Sequence, residues 1–485
     1  MTALTSDAII AVAGAGTMGA GIAQVAASAG HRVLLFDAFA GAAEHGLQNV
    51  AKGLDALVAK GKMEAVKRDA IVGNIKPVES IAAFAEASLC IEVIVENLEI
   101  KQQLFKQIEE VVAAHAILAT NTSSISVSSI ASVLQHPGRL VGMHFFNPAP
   151  VMKLVEVVSG AATEKAVAQT VFDAANAWGK TAVHCRSTPG FIVNRVARPF
   201  YAEALRVLEE GFADVVTIDA LLTECAGFRM GPFTLMDLIG HDVNYAVTQS
   251  VFNAYHQDPR YRPSLLQKDM VDAGWLGRKS GRGFYDHAEG TEKPQPATEP
   301  GMSNEGDDDT SVRQRILAGE QWQVGNVRII RTDGKAAVSH ALSCGQPVVL
   351  YDLVTDPQAT RIAITGSSNV AQTTWQTLIG SLQAAGFAVS RVADRPGLIV
   401  MRTLAMLVNE AFEGKLQQIA ETESINKAMR LGVNYPVGPF EWAEQIGTQT
   451  LLDVLDALSQ ATGDPRYRAS LGLRQQVMES QLGAL

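Results

Sequence analysis

Residues 8–19 read AIIAVAGAGTMG, and this stretch decides the fold of the first half of the chain. The apolar run at its start is typical of a buried parallel strand. It leads into the pattern G-x-G-x-x-G at Gly14, Gly16 and Gly19, and a helix of small residues over 20–29 follows. A strand, a glycine turn and a helix in this order predict a dinucleotide-binding unit of the Rossmann type.

Each glycine has its own physical role in such a unit. Gly14 permits the tight turn, Gly16 lets the backbone approach a pyrophosphate, and Gly19 lets the helix pack closely on the strand. A second strand over 32–36 ends in Asp37, which lies 37 − 14 = 23 residues after the first glycine. A carboxylate there binds the 2′-hydroxyl of a ribose and repels a 2′-phosphate. No arginine follows it, so the sequence predicts NAD rather than NADP as the cofactor.

Strands and helices continue to alternate up to about residue 185. We expect strands over 90–95 and 116–119, and a long helical stretch over 41–68. In an open α/β sheet, ligands bind beyond the carboxyl ends of the strands. Polar side chains that follow or end the predicted strands should therefore line one cleft: Asp37, Glu96, Ser123 and His144.

Residues 141–156 read VGMHFFNPAPVMKLVE and contain the candidate catalytic pair. Strands are predicted over 141–146 and 151–158, with a bend at the Pro-Ala-Pro between them. If the chain doubles back there, Glu156 comes opposite His144. A carboxylate beside an imidazole fixes its tautomer and stabilises its charged form, which suits a general base. The alternative is a core histidine that has an acidic neighbour.

The composition limits the class of function. The chain has 485 residues, 47% of them hydrophobic, and a formal net charge of −10, which argues against nucleic-acid or anionic-membrane partners. Its cysteines are scattered and lack the spacing of a metal site, so we expect reduced thiols in a cytoplasmic protein with no metal. No apolar run reaches the length of a membrane span, and no signal peptide is recognised.

The second half of the chain repeats part of the first. Pro396 repeats Pro189 at an offset of 396 − 189 = 207, and Asp464-Pro-Arg-Tyr-Arg repeats Asp258-Pro-Arg-Tyr-Arg at 464 − 258 = 206. Anchors at nearly one offset indicate a duplication. The predicted segments are a NAD-binding Rossmann domain (1–185), an all-α domain (186–285), a linker (286–315), a degenerate Rossmann-like domain (316–390) and a second all-α domain (391–485).

The two copies are not equal. The position equivalent to Asn194 is 194 + 207 = 401, which is Met401. The stretch 316–390 has neither a G-x-G-x-x-G loop nor the histidine segment, so we interpret it as a structural partner. The two all-α domains are expected to pack on each other within the chain as a pseudo-dimer, and a homo-oligomer is a further possibility.

Together these motifs resemble the NAD-dependent L-3-hydroxyacyl-CoA dehydrogenases. The matching segments are Gly14–Gly19 with Asp37, Val95-Glu96-Asn97, Asn121-Thr122-Ser123-Ser124, His144-Phe-Phe-Asn-Pro with Glu156, and Pro189-Gly-Phe to Asn194-Arg195. The duplicated second half, with Asn434-Tyr-Pro, is similar to the long bacterial members, the 3-hydroxyadipyl-CoA dehydrogenases of phenylacetate degradation.

The resemblance implies a role for each matching residue. His144 would take the proton of the 3-hydroxyl of an acyl-CoA substrate, and Glu156 would orient His144. Ser123 and Asn194 would bind the substrate oxygen or the histidine. The implied cofactor contacts are Glu96, Lys101 and Asn147, and the implied CoA phosphate contact is Lys52 or Lys60. A terminal carboxylate on the acyl chain would need a basic partner, for which the candidates are Arg195, Arg198 and Arg229.

Three alternatives stay open. The same chemistry could act on 3-hydroxybutyryl-CoA in butyrate-type metabolism. The chain could be another NAD enzyme with a helical C-terminal domain that acts on a sugar acid, although such enzymes usually carry a lysine or cysteine in place of the His144 segment. It could also be a non-catalytic NAD-binding protein, against which the intact set of Ser123, His144, Glu156 and Asn194 argues.

Overall fold

The structure is a computed structural model and describes residues 4–5, 7–302 and 309–483. Within these ranges the chain forms two compact units. The first is built from residues up to 194 together with 418–433, and the second from 195–417 together with the residues after 433. Neither unit is one continuous stretch of chain, whereas the segments predicted from the sequence are.

The strands form two sheets. The strands of the first sheet are β1 (Ile9–Ala13), β2 (Arg32–Phe36), β3 (Ile75–Val78), β4 (Leu89–Glu92), β5 (Ile117–Thr120), β6 (Leu140–Phe145), β7 (Leu154–Ser159) and β8 (Thr181–Arg186). The strands of the second sheet are β9 (Trp322–Val324), β10 (Val327–Arg331), β11 (Val348–Tyr351), β12 (Arg361–Gly366) and β13 (Ala388–Arg391).

The helices alternate with the strands of the first sheet and later follow one another directly. Up to residue 226 they are α1 (Thr17–Ser28), α2 (Ala42–Ala59), α3 (Ala65–Gly73), α4 (Leu98–Val111), α5 (Val127–Ala131), α6 (Lys165–Ala177), α7 (Val193–Val196), α8 (Arg198–Glu209) and α9 (Val215–Ala226). The later ones are α10 (Pro232–Ile239), α11 (His241–Ala254), α12 (Leu265–Asp272), α13 (Asp309–Ala318), α14 (Ala337–Cys344), α15 (Gln372–Ala384), α16 (Val400–Leu416), α17 (Thr422–Gly432), α18 (Pro439–Ile446), α19 (Thr448–Thr462) and α20 (Leu471–Gly483).

The first unit contains an eight-stranded sheet in the order β3-β2-β1-β4-β5-β6-β7-β8. Strands β1 to β6 are parallel, β7 runs antiparallel to β6, and β8 is parallel to β7. The central strands β4, β5 and β6 are buried along their whole length, which explains their largely apolar sequences. The α/β fold class with a Rossmann-type sheet is confirmed.

Two predicted elements differ from the structure. The helical stretch expected over 41–68 is two helices, α2 and α3, because the chain turns at Gly61, whose φ is +65°. The strand expected over 90–95 ends at Glu92, and Glu96 lies in the loop that leads to α4. The apolar residues after Glu92 lie in that loop, so apolar character alone misplaced the end of the strand.

Helix α17 belongs to the second half of the sequence, yet it packs on β7 and β8 of the first sheet. Its Gly432 lies against Leu154 and Val193, where an added Cβ would come within 2.8 and 2.9 Å of their side chains. Helix α9, its counterpart at an offset of 422 − 215 = 207, packs on β12 of the second sheet. Each of these equivalent helices therefore covers the sheet of the other half of the sequence.

The second unit contains a five-stranded sheet in the order β13-β12-β11-β10-β9. Strand β10 is parallel to β11, β11 is antiparallel to β12, and β12 is parallel to β13, which is the pattern of β5 to β8. The short strand β9 runs antiparallel to β10 at the edge. This sheet therefore retains half of a Rossmann sheet and lacks the half that would begin with the glycine turn.

Two long helices of the second unit, α8 and α16, pack along each other. Two equivalent ion pairs join α16 to this part of the chain, one to Arg195 just before α8 and one to Glu203 in α8. Arg195 Nε lies 2.5 Å from Glu410 Oε1, and Arg402 Nε lies 2.8 Å from Glu203 Oε2. The offsets are 402 − 195 = 207 and 410 − 203 = 207, so the two pairs are the same pair seen from each copy. All these side chains are at most 1% exposed.

The described part of the predicted linker makes specific contacts in the second unit. Ala297 N–H donates to Thr217 Oγ1, and Glu299 N–H donates to the carbonyl of Val389 in β13. Residues 303–308 of the predicted linker lie outside the described residues. None of the helices in the described ranges combines the length and apolar character needed to cross a membrane.

Candidate active site

A cleft of about 540 Å³ opens at the carboxyl ends of β1, β4, β5 and β6 in the first unit. Its position follows from the topology, since parallel strands bring their carboxyl ends to one edge. The residues that line it are Gly16, Thr17, Met18, Val93, Ile94, Glu96, Lys101, Asn121, Ser123, His144, Phe145, Phe146, Asn147 and Asn194. Most of the residues selected from the sequence are among them.

The centre of the cleft is a histidine–carboxylate pair. The antiparallel register of β6 and β7 places His144 opposite Glu156, and Nδ1 lies 2.7 Å from Glu156 Oε2. His144 is 5% exposed and Glu156 is fully buried. The other oxygen of Glu156 accepts the N–H groups of Ile192 and Val193 at 3.1 and 3.0 Å. Both oxygens of this buried carboxylate are therefore satisfied.

Two aromatic rings hold the imidazole in place. The ring centroid of His144 lies 4.5 Å from that of Phe146 and 5.7 Å from that of Phe191. Phe191 has a φ of +48°, a conformation that non-glycine residues adopt rarely and that carries strain. The bonded Nδ1 and the packed ring leave Nε2 as the nitrogen that can act on a ligand in the cleft.

The glycine loop has the shape that a pyrophosphate requires. Gly14 has a φ of +111°, and a Cβ there would lie 2.3 Å from the carbonyl oxygen of Val93. A Cβ at Gly19 would lie 1.8 Å from the carbonyl oxygen of Gly14, so the approach of helix to turn excludes any side chain. At Gly16 a Cβ would meet no atom within 4 Å and would fill the open space above the loop.

The start of helix α1 fits a phosphate for a second reason. Its N-cap is Gly16, which has no side chain to accept a bond from the first turn. The N–H groups at the start of the helix are therefore available to an anion, and the helix dipole favours negative charge there. These residues fit the pyrophosphate of a dinucleotide.

Asp37 follows β2, as the sequence predicts. Its Oδ2 accepts the N–H of Ala15 in the glycine loop at 2.7 Å, and its Oδ1 accepts the N–H of Phe39 at 3.0 Å. A carboxylate oxygen can accept two hydrogen bonds, so each oxygen keeps one position for a ribose hydroxyl. Asp37 thus links the turn to the place where an adenosine ribose would lie.

Glu96 and Lys101 form part of one wall of the cleft. Glu96 Oε1 accepts bonds from the backbone and hydroxyl groups of the loop after β5, including Thr122 Oγ1 at 2.5 Å and Ser123 N–H at 3.0 Å. Glu96 Oε2 lies 3.1 Å from Lys101 Nζ. Burial alone would raise the pKa of the Glu96 carboxyl, but Lys101 and the hydroxyls of Thr122 and Ser124 hold that pKa below its ordinary value.

A third charged residue at this wall, Glu92, was not predicted from the sequence. It is fully buried at the end of β4, and its Oε1 accepts bonds from Lys101 Nζ at 2.6 Å and Ile94 N–H at 2.7 Å. Its Oε2 accepts the hydroxyl of Thr120 at 2.7 Å. The signal was a carboxylate inside an apolar run, because a buried charge requires a partner.

The structure brings most of the other selected residues to the cleft, but not all. Asn147 and Asn194 line the cleft, and the peptide bond from Asn147 to Pro148 is cis. Asn121 accepts the N–H of Phe145 at 2.8 Å and so connects the ends of β5 and β6. Lys52 lies on an exposed position of α2 and is not among the described residues that line the cleft.

The candidate arginines fall in the second unit. Arg195 pairs with Glu410 and with Gln417, whose Oε1 lies 2.9 Å from Nη1, while its Nη2 is buried without a hydrogen-bond partner among the described residues. Arg229 is exposed and bonds Asn434 at 3.4 Å. Arg198 is buried, and its Nη1 donates to Thr248 Oγ1 at 3.0 Å. The described residues contain no group of three or more His, Cys, Asp or Glu side chains arranged to hold a metal ion.

Three family models match the chain. Residues 9–188 match "3-hydroxyacyl-CoA dehydrogenase, NAD binding domain". Residues 190–287 and 397–484 both match "3-hydroxyacyl-CoA dehydrogenase, C-terminal domain". Residues 329–396 match "3-hydroxybutyryl-CoA dehydrogenase reduced Rossmann-fold domain". The C-terminal model matches twice, at the two copies that the sequence offset indicates.

Known proteins match the chain over its whole length or over its first half. The 3-hydroxyadipyl-CoA dehydrogenase of Escherichia coli K12 is 44% identical over 469 residues, 97% of each chain. A probable 3-hydroxybutyryl-CoA dehydrogenase of Bacillus subtilis is 43% identical over 58% of this chain and 98% of its own. A crystal structure titled 3-hydroxybutyryl-CoA dehydrogenase from E. coli K12 superposes with a TM-score of 0.93 at 43% identity, covering 99% of this chain and all of its own.

Proposed function

Because this chain belongs to the 3-hydroxyacyl-CoA dehydrogenase family, we propose that it oxidises 3-hydroxyadipyl-CoA to the 3-ketoacyl-CoA with His144 as general base. The reaction class is that of an NAD-dependent oxidoreductase. The observation that carries the catalytic assignment is the 2.7 Å contact between the buried Glu156 and His144, which lines the same cleft as Gly16 of the glycine loop.

His144 acts on the 3-hydroxyl through Nε2. Glu156 accepts the N–H at Nδ1, which leaves the Nε2 lone pair free to take the hydroxyl proton. When bound, NAD supplies the acceptor for the hydride that leaves C3. Loss of the proton to His144 turns the hydroxyl into a carbonyl as the C3–H bond breaks, and the imidazolium that results is stabilised by the Glu156 carboxylate.

The other residues of the cleft position the reactants. Gly14, Gly16, Gly19 and Asp37 hold the cofactor through its pyrophosphate and ribose. Glu96, Lys101 and Asn147 shape the wall beside the nicotinamide end. Ser123 and Asn194 bind the substrate oxygen or the imidazole. The support for this group of roles is that the cleft is lined by Gly16, Glu96, Lys101, Ser123, His144, Asn147 and Asn194.

The choice of the adipyl chain rests on the full-length relative from E. coli, which shares the duplicated second half. The alternative is 3-hydroxybutyryl-CoA, because that name is carried by the first-half relative and by the E. coli crystal structure. The test is NADH formation by the purified protein with 3-hydroxyadipyl-CoA, 3-hydroxyhexanoyl-CoA and 3-hydroxybutyryl-CoA. A higher kcat/KM for the adipyl ester supports the proposal, and a higher value for the butyryl ester replaces it by the alternative.

We further propose that the two helical copies pack as the subunits of a dimer do and that the protein works in the cytoplasm. The reciprocal pairs Arg195–Glu410 and Arg402–Glu203 support the first statement, since a two-fold interface repeats each contact. The second is supported by four cysteines that all remain unpaired: Cys90, Cys185, Cys225 and Cys344.

A further inference from the structure

The second unit contains a cavity of about 310 Å³ that is lined by four arginines. Its walls are Arg198, Tyr201, Ala202, Leu205, Arg206, Glu209, Thr248, Arg262, Pro263, Ser264, Leu265, Gln267 and Arg466. Glu209 is the single acidic residue among these, and its carboxylate accepts the hydroxyl of Ser264. Positive charge therefore exceeds negative charge in the lining of this cavity, although the chain as a whole has a net charge of −10.

Arg198 is the buried cation of this cavity and lacks a carboxylate partner. It is 6% exposed, its Nη1 donates to the neutral Thr248 Oγ1, and its guanidinium lies 4.8 Å from the ring centroid of Tyr201. Its Nε is buried and has no hydrogen-bond partner among the described residues. Burial lowers the pKa of Arg198, and only tyrosines oppose that shift. A buried guanidinium without an anion is costly, so the arrangement calls for an anionic ligand.

Two more arginines have unsatisfied donors at the same place. Arg206 Nη1 lies 3.0 Å from Asp464 Oδ2, while its Nε is buried without a partner. Arg466 is 2% exposed, and its Nε and Nη2 are buried without hydrogen-bond partners in the described chain. Asp464 is shared between Arg206 and Arg466, the latter at 3.7 Å, and the charge of Glu203 also acts on Arg466. Glu203 is itself paired with Arg402, so both carboxylates that act on Arg466 are shared with another arginine.

The duplication shows that this polarity is not required by the fold. The positions equivalent to Arg198 and Thr248 are 198 + 207 = 405 and 248 + 207 = 455, which are the fully buried Ala405 and Leu455. The second copy thus places apolar side chains where the first places a guanidinium and its hydroxyl partner. The equivalent helices of the second copy, α16 and α19, pack without an arginine at this position. Helix packing alone therefore does not explain Arg198.

From this geometry we propose that the cavity is a binding site for a carboxylate carried on a short aliphatic chain, and that Arg198 is the residue that binds it. The apolar side chains of Leu205, Leu265 and Pro263 stand beside the arginines and suit a hydrocarbon next to the charge. Arg198 and the exposed Arg262 provide the planar donors that pair with carboxylates. Two sources share this chemistry: the terminal carboxylate of a dicarboxylyl substrate, in which case the site rests on the proposed function, and a free carboxylic acid.

The test compares the full-length wild type with Arg198→Leu and with the matched variant Arg32→Leu, which removes an exposed arginine that is not a wall residue of the cavity. Thermal unfolding is followed with adipate, hexanoate and inorganic phosphate. We expect adipate to raise the unfolding midpoint of the wild type and of Arg32→Leu, and to have no effect on Arg198→Leu. If Arg198→Leu does not fold, Arg262→Leu at the exposed rim is used, with a smaller loss of the adipate effect.

Steady-state kinetics then identify the source. If Arg198→Leu lowers the ratio of kcat/KM for 3-hydroxyadipyl-CoA over 3-hydroxyhexanoyl-CoA by tenfold or more, the carboxylate is that of the substrate. If this ratio is unchanged while protection by adipate is lost, the ligand is a free acid. If adipate protects neither protein and the ratio is unchanged, the proposal is wrong. Failure of the proposed function is distinct, because it would appear in the wild type, which would then turn over none of the esters or would prefer the butyryl ester.

Discussion

Strands β5 to β8 and strands β10 to β13 run in the same order and directions, yet only the first set carries an imidazole. In the first set, His144 lies opposite Glu156. In the second, 156 + 207 = 363 is Ala363, and its carbonyl accepts the N–H of Asp352, which follows β11. Asp352 therefore occupies the place of His144, and alanine occupies the place of the glutamate.

In both halves, a buried carboxylate accepts backbone N–H groups at the start of a helix. Glu156 accepts the N–H groups of Ile192 and Val193, where a helix begins. Asp352 accepts those of the equivalent Ile399 and Val400, at 2.9 and 2.7 Å. A buried carboxylate caps the start of the helix in both halves, but in the first half it also has an imidazole to orient. The structural role of the acid is thus separable from its catalytic role.

The largest expected effect comes from the residue that the second half lacks. His144→Gln should lower kcat/KM by about a thousandfold or more, because the base is lost, while NADH binding persists. Stopped-flow fluorescence of bound NADH and steady-state turnover measure the two quantities separately. Asp352→Asn is the matched control and should leave turnover per folded molecule unchanged. Retained turnover in His144→Gln would show that the base is another residue.

Glu156→Gln should have the next largest effect, about a hundredfold on kcat. The amide can still accept bonds from Ile192 and Val193, but its NH₂ would donate to Nδ1 and so move the proton of His144 to Nε2. Comparison of kcat with the affinity for NADH and with the thermal unfolding midpoint distinguishes this from simple loss of structure, because the wrong tautomer lowers kcat alone. Full activity would leave Glu156 a structural cap only.

The glycine turn, like His144, is present beside the eight-stranded sheet and has no counterpart among the described residues beside the five-stranded sheet. Gly19→Ala would place a Cβ 1.8 Å from the carbonyl oxygen of Gly14, so we expect the affinity for NADH to fall by roughly tenfold and the stability to fall by about 1–3 kcal/mol. Gly53→Ala in α2 meets nothing within 4 Å and should be neutral or slightly stabilising. Isothermal titration with NADH should also give one site per chain, and two sites would contradict the assignment of the second half.

The sequence predicts which residues meet in the first cleft because the determinants of that arrangement are local. A glycine pattern between a strand and a helix has few other uses, and a bend between two apolar runs brings His144 opposite Glu156. The offset of 207 residues likewise identifies the duplication. Asp352 could not be found in this way, since the offset leads from Glu156 to Ala363. The replacement acid lies on the neighbouring strand, and only the pairing of β11 with β12 reveals it.

The remaining differences involve interactions between distant parts of the chain. Nothing in the sequence of α17 indicates that it packs on β7 and β8, because its apolar face would suit any sheet. Glu92 was hidden in an apolar run, and its partner Lys101 is nine residues away on α4. The position of a strand end or of a buried charge depends on such neighbours, which sequence periodicity does not contain.

The smallest expected effect tests whether the acid of the second half is only structural. Burial raises the pKa of Asp352 to about 6, against the opposing N–H groups of Met401, Val400, Ile399 and Leu353. The native state then binds more protons than the unfolded chain between the ordinary pKa of an aspartate and about pH 6, so this contribution to stability is present in acid and is lost as pH rises through that range. Relative to Asp352→Asn, the unfolding free energy of the wild type should fall by roughly 1–3 kcal/mol from pH 4 to pH 7.

Urea unfolding of both proteins at several pH values measures this difference. Asp464→Asn is the control with the opposite shift. Burial would raise the pKa of Asp464, but the N–H of Arg466 and the charges of Arg466 and Arg206 hold it below its ordinary value. Its contribution is complete above that ordinary value, so its difference from wild type should stay constant from about pH 5 to pH 7. If the difference in unfolding free energy between wild type and Asp352→Asn also stayed constant over this pH range, the pKa of Asp352 would not be raised. The N–H groups at the helix start would then offset the cost of burying the charged carboxylate.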